Sequence, residues 1–265
     1  MTEQLQEIIN IFTEYKFEKC IYTNASLITL EVARFLKNRN IKLEISLYGM
    51  SPETYEAITG KAENYYKVMN ALDYLKEEKI EFKLKATFTK QNFHERDKIN
   101  KFIELMNSES PAQVARLMGN HSGVVDMRLD DEEMISILKT DLYLENEEFL
   151  PYGTCSGGIT QYCIRPNGDM TPCLGFHSII MGNILKNPYR EIIEKFSLNR
   201  ELNCKEITCN TCDKTKFCSP CPMIFYQDTG SHLKVSQESC RIAALKQQVH
   251  NERALEESNL CVNQN

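Results

Sequence analysis

Cysteine is the residue whose type and spacing carry the clearest chemistry in this 265-residue chain. Eleven are present, and only Cys20 lies ahead of residue 155. The others run Cys155, Cys163, then Cys173 after the segment Gly168 to Pro172, then Cys204. Cys209-x2-Cys212-x5-Cys218-x2-Cys221 follows, and last come Cys240 and Cys261. A C-x2-C pair places two thiolates on one tight loop, where they hold a metal ion or one edge of a cluster; thiolates are ligands of zinc and of iron–sulfur centres. A zinc ribbon would take Cys209, Cys212, Cys218 and Cys221 as one tetrahedral set and leave Cys155, Cys163, Cys173 and Cys240 unexplained. Two cubane clusters take up to eight thiolates, and eight remain once Cys20, Cys204 and Cys261 are set aside. Ligand count favours clusters, while spacing alone leaves two zinc ions open.

The other reactive side chains form weaker patterns. Asp130-Asp131-Glu132-Glu133 stands where a helix is expected to begin, and acidic residues favour that end electrostatically, so solvation accounts for the run. His94, His121, His177, His232 and His250 are scattered without ligand spacing, and His177, although close to Cys173, is expected at the surface. There is no Gly-rich phosphate loop and no Ser/His/Asp arrangement.

The bulk numbers bound the class. Hydrophobic residues are 42% of the chain, enough for a sizeable core. A net charge of −6 weighs against a general nucleic-acid binder. No apolar run approaches the roughly 20 residues that span a bilayer, so no membrane association is expected. The N-terminal stretch is amphipathic and charged, without the apolar segment and cleavage site of a signal peptide. A cytoplasmic location is therefore expected. In such a reducing compartment an odd number of cysteines points to metal binding or catalysis rather than disulfides.

The elements that must position these thiols alternate. KCIYTN (19–24) is a short apolar run, and LITLEVARFLKNRN has helical spacing at Leu27, Leu30, Ala33 and Leu36. IKLEISLYG (41–49) and IEFKLKATFT (80–89) alternate with strand periodicity. Gly49 and Pro52 punctuate the chain between them, and Tyr65 to Glu78 reads as a helix. Asp97 to Met106 reads as another helix, 113–118 as a short strand, and Asp130 to Glu145 as a further helix. Strands alternating with helices imply parallel strands joined by crossovers. Without a dinucleotide fingerprint, these units predict part of a β/α barrel, whose ligand groups gather at the C-terminal strand ends. Those ends are Thr23-Asn24, Ser46 to Gly49, and Thr87 to Asn92, although turn chemistry alone explains such polar tips. The abrupt onset of cysteines predicts a boundary near residue 150, with 1–149 an incomplete barrel and 150–265 a cysteine-rich domain.

The pattern C-x(n)-G-x4-C, a gap, C-x2-C-x5-C-x2-C, a gap and C resembles the SPASM domain that follows the barrel of many radical S-adenosylmethionine enzymes. IRPNGDMTPC resembles that family's hairpin and Gly182-Asn183-Ile184 its GNI turn, while YTNASLIT, ISLYGMSPETYEAITG and TFTKQN resemble middle strands of its barrel. The resemblance covers about residues 5 to 250 and implies an α/β protein. Its parts would be a partial, TIM-like β/α barrel, truncated at the N-terminus, then a small SPASM domain with little regular structure and a C-terminal helix. It implies two auxiliary [4Fe–4S] clusters, one on Cys155, Cys173 and Cys221, the other on Cys209, Cys212, Cys218 and Cys240. Cys163 would complete the first or leave a site for substrate. Cys218-x2-Cys221 is one residue shorter than the commoner family spacing and is similar to some peptide maturases. Thr23, Asn24 and Ser46 match positions near the S-adenosylmethionine in the family, with Thr89 and Asn92 weaker matches. The implied substrate is a peptide or protein, and the implied electron donor a ferredoxin or flavodoxin. Leu174 stands where sulfatase-maturing relatives carry an acidic base, which argues against that activity.

One family motif is missing. The C-x3-C-x2-C that holds the S-adenosylmethionine-cleaving cluster does not occur, so that cofactor and a third [4Fe–4S] cluster are expected only in a full-length enzyme. Two accounts follow: the chain is the C-terminal portion of such an enzyme, inactive by itself, or it is a non-catalytic iron–sulfur or zinc module that binds a substrate or partner. The exposed edges of a half barrel are a folding liability and favour the first.

Overall fold

A computed structural model describes residues 3–106, 119, 122–140, 155–196 and 207–262, with only the backbone for 257 and 259–262. Two compact units divide the chain: Met1–Leu117 with Asp126–Leu129, and Met118–Val125 with Asp130–Asn265.

The first unit is built on a parallel sheet of β1 (Cys20–Thr23), β2 (Lys42–Ser46) and β3 (Phe82–Lys85), in the order β1-β2-β3. Register sets Tyr22 beside Glu44 and Thr23 beside Ile45, then Glu44 beside Lys83 and Ser46 beside Lys85. Side chains alternate across a strand, so Leu43, Ile45 and Leu47, with Leu84 on β3, form one buried face. Buried apolar residues of the helices complete the core: Ala33 and Leu36 of α2 (Leu30–Lys37), and Val68, Leu72 and Leu75 of α4 (Glu63–Glu77). Lys42, Glu44 and Ser46 share the opposite, half-buried face. The unit also holds α1 (Glu3–Thr13), α3 (Pro52–Thr59) and α5 (Arg96–Leu105).

The sequence expectations for this unit hold in outline, and two need correction. Leu27 lies outside α2 and is 79% exposed, because Thr29 caps the helix through the Val32 N–H and starts it at Leu30. Pro52 opens α3 rather than merely punctuating: Ser51 accepts the Thr54 N–H, proline occupies the first turn, and Gly60 ends the helix at φ +73°. The strand expected at 113–118 and the end of the helix expected through Glu145 lie outside the described residues.

Residues of α6 (Ser122–Met127) belong to both units. In the second unit α7 (Asp131–Leu138) opens with a full capping box between Asp130 and Glu133, the structural account of that acidic run. It packs on α10 (Gln237–Val262), where Arg241 pairs with Asp131 and Arg253 donates to the Leu138 carbonyl at 2.9 Å. Between them stand α8 (Tyr189–Lys195) and α9 (Pro222–Thr229). A small antiparallel sheet joins β4 (Cys163–Ile164), β5 (Asp169–Thr171) and β6 (Gly182–Asn183). Its hairpin turns at Gly168, φ +85°, and Asn183 donates to Asp169 Oδ1 at 2.8 Å to hold the third strand. Among the described residues, no helix is long and apolar enough to cross a membrane.

Candidate metal centre

Nine described cysteines, Cys20 and the eight expected ligands, are free thiols; Cys204 and the side chain of Cys261 lie outside the described residues. Cys155, Cys173 and Cys221 come together. Cys173 follows β5, where the buried Thr171 donates to its carbonyl at 2.9 Å. Gly157 donates its N–H to Cys155 Sγ at 3.3 Å, and Gly158, at φ +76°, donates to the Pro172 carbonyl at 3.2 Å, laying one loop on the other. Cys221 is the residue before α9. Burial is the main reason its thiol is pushed up; the Ile224 and Met223 N–H groups oppose this, and the Cys155 and Cys173 thiols add to it. Cys155 and Cys173 pack with Phe196 and Met223 against the buried Phe176 ring.

A second group forms around an open apolar pocket lined by Cys209, Cys212, Cys218 and Cys240, together with Lys214 and Phe225. Two short 3-10 turns, Thr208–Thr211 and Thr215–Phe217, present the first three, and the first turn of α10 presents Cys240. The Cys209 thiol is pushed up to about 11, by burial first and then by Cys218, Cys240 and Cys212. Thiols grouped in this way hinder one another's ionisation, and a bound cationic centre would offset that cost. The Lys214 N–H lies 3.5 Å from Cys212 Sγ. Cys212 and Cys240 are exposed, unlike the half-buried first set.

The match of chain to known proteins falls on this part. Residues 155–222 fit the SPASM family, an iron–sulfur cluster-binding domain. An AdoMet-dependent heme synthase of Methanosarcina barkeri is 24% identical over 86% of this chain and 76% of its own. The heme synthase of Nitratidesulfovibrio vulgaris is 24% identical over 88% and 74%. The solved structure of native anSMEcpe with bound AdoMet superposes with a TM-score of 0.70, covering 97% of this chain and 80% of that one at 17% identity. Native anSMEcpe with AdoMet and the Kp18Cys peptide gives 0.68 at 18% identity, covering 97% and 81%. The cysteine-rich part is thus of SPASM type, and the chain as a whole is similar to AdoMet-dependent enzymes and shares the anSMEcpe fold.

Within the SPASM domain, Cys163 sits on β4 opposite Thr171, on the strand next to the one that leads to Cys173. Leu174 is 77% exposed and His177 is exposed. His250, one of the scattered histidines, packs its ring on Phe217 beside Cys218.

At the sheet edge the three positions matched to the cofactor separate. Thr23 shares the face of Ile45, and its hydroxyl accepts the Ala25 N–H at 3.0 Å. Asn24 Oδ1 accepts both the N–H and the hydroxyl of Ser26, bracing Ala25 at φ +57°. Ser46 lies on the other face with Glu44, which pairs with Lys85 at 2.6 Å. Asn92 is fully buried: its amide donates to the Tyr48 and Thr87 carbonyls and accepts the Thr89 N–H, tying two strand-end loops together. Sequence reasoning missed Glu95, whose buried carboxylate accepts the Met50 N–H at 2.6 Å. A lone glutamate in a polar stretch carries no periodic signal. The Glu44–Lys85 pair was accessible, since Lys42, Glu44 and Ser46 alternate along the strand.

Proposed function

We propose that this chain is the part of a radical S-adenosylmethionine enzyme that carries two auxiliary [4Fe–4S] clusters, and that the enzyme modifies a peptide or protein. The partition of seven thiols carries this reading: Cys155, Cys173 and Cys221 against an apolar wall, and Cys209, Cys212, Cys218 and Cys240 around one cavity. It runs against a zinc ribbon, which needs Cys221 in the second group. A single zinc ion also draws its thiolate sulfurs to about 3.8 Å of one another, given Zn–S bonds of about 2.3 Å.

Bound clusters would supply one-electron chemistry at potentials set by exposure and by hydrogen bonds to sulfur. The chain provides both controls. The first set packs against the apolar Phe176 cluster, and the Gly157 and Lys214 N–H groups point at Cys155 and Cys212 sulfur. The exposed Cys212 and Cys240 make the second set the side open to an electron carrier such as a ferredoxin or flavodoxin. Cys163 is the candidate fourth ligand of the first set. Ser46 and Asn24 remain the candidates for cofactor contact at the sheet edge, whereas the Thr23 hydroxyl is engaged in a turn.

The names of the sequence relatives favour a second substrate reading, a tetrapyrrole in place of a peptide, since both heme synthases align over more than four fifths of the chain. Anaerobic purification with iron, sulfide and zinc analysis tests the cluster assignment. Roughly eight iron and eight sulfide per chain are expected for two [4Fe–4S] clusters; a colourless protein with stoichiometric zinc and no sulfide would overturn it. Anaerobic binding of peptide and of iron-free porphyrin to that protein, followed by spectral change, separates the substrate readings.

A further inference from the structure

We propose that Asp228 is a positioning residue for the second thiol set, acting through Ser236 on Cys240; this rests on the reading of Cys240 as a cluster ligand. Asp228 is a buried carboxylate, 8% exposed, and it lines neither thiol group. A buried charge is costly unless hydrogen bonds satisfy it. Asp228 Oδ1 accepts the Gly119 N–H at 2.8 Å, and Oδ2 accepts the hydroxyl of Ser236.

Ser236 is fully buried and stands immediately before α10. Its Oγ accepts the Ser239 N–H at 3.2 Å, and its carbonyl accepts the Cys240 N–H at 3.2 Å. Both bonds fix the first turn of α10, the turn that presents Cys240 to the cavity. A serine hydroxyl can rotate among staggered positions. By accepting the hydroxyl's hydrogen bond, Asp228 turns the oxygen lone pair toward the Ser239 N–H. A slip of one residue in this turn would swing Cys240 by about 100° around the helix. Asp228 also lies two turns along α9 from Cys221, so one carboxylate ties the helix that follows a ligand of the first set to the start of the helix that carries a ligand of the second. Thr229 closes the intervening loop, its hydroxyl bonding to the Phe225 and Ser231 carbonyls.

The test uses the full chain, purified and reconstituted anaerobically, with Asp228→Ala, Asp228→Asn and Ser236→Ala. Cys240→Ala and Cys173→Ala serve as references for loss at each site. Readouts are iron and sulfide content, the electron paramagnetic resonance spectrum after reduction, and far-ultraviolet circular dichroism. Asp228→Ala and Ser236→Ala are expected to lower iron toward half and to reproduce the Cys240→Ala spectrum with helicity retained. The double variant adds nothing further, and Asp228→Asn, which still offers an acceptor to Gly119, loses less. Full iron with the wild-type spectrum in Asp228→Ala and Ser236→Ala, or equal loss at both sites with lost helicity, would overturn the proposal. If Cys240→Ala keeps both signals, the ligand reading itself fails and the proposal with it. An effective Cys240→Ala beside silent Asp228 and Ser236 variants sinks the proposal alone.

Discussion

At the scale of residues, the molecule uses buried polar groups to fix backbone rather than to react. Asn92 and Glu95 lie under the loops that follow β2 and β3, and their polar atoms are engaged by main chain. Burial pushes the Glu95 carboxyl up, but hydrogen bonds from the Met50 N–H, Ser51 and Thr54 outweigh it and leave the group below its ordinary 4.5. Its contribution to stability is thus complete above that value and disappears as pH falls through the lowered one. Glu95→Gln should destabilise the protein by about 1.5–3 kcal/mol at neutral pH, the range for a hydrogen bond to a charged group. It should also flatten the loss of stability as pH falls below the ordinary carboxylate value. Urea denaturation at several pH values checks both; equal pH dependence in the two proteins would rule out the role. The cysteines differ from such residues in being readable at once, because thiolate ligands come in short sequence spacings.

At the scale of elements, loops bring the thiols together and regular structure only anchors the loops. The small sheet β4-β5-β6 sets the height of Cys173, and Gly157-Gly158 lays the Cys155 loop across it. Gly158 combines φ +76° with a closed environment, where an added Cβ would lie 2.4 Å from the Phe196 ring. Gly158→Ala therefore incurs about 1–2 kcal/mol of left-handed strain plus displacement of Phe196 from the apolar wall. It should lower the thermal midpoint and reduce iron at the first set, leaving the second set's spectrum in place. Iron analysis beside a thermal melt decides this, and unchanged iron would count against the apolar wall's role. Helix signals explain the two corrections to the sequence-based elements. Thr29 and Ser51 are caps, and a cap sets the start of a helix more tightly than the hydrophobic spacing that follows it.

At the scale of the whole molecule, the sequence has a SPASM-type cysteine array and no C-x3-C-x2-C spacing, the one that radical S-adenosylmethionine enzymes use for cleavage. Reconstituted alone and reduced with dithionite, it should release no 5′-deoxyadenosine from S-adenosylmethionine. Chromatography of an anaerobic incubation measures this, and multiple turnovers would refute it. The heme synthases that align with this chain and the anSMEcpe structures that superpose on it carry names that point to different substrates. Fold alone does not choose between such substrates, since chemistry resides in the site and not in the scaffold.

The sequence by itself determined the ligand types, their number, the alternation of strand and helix, and the SPASM resemblance, because these are local in spacing and period. Parallel pairing of β1, β2 and β3 followed from the same alternation. The tertiary structure sets Cys221, three residues from Cys218, near Cys155 and Cys173, a grouping that in the sequence rested on the resemblance and not on spacing. It also separated Thr23 from Ser46 by the face of a sheet, a difference of register rather than of residue type. Asp228 and Glu95 were invisible in the sequence for the same reason. Their partners lie 8 to 109 residues away, and a hydrogen bond across that distance has no period to betray it.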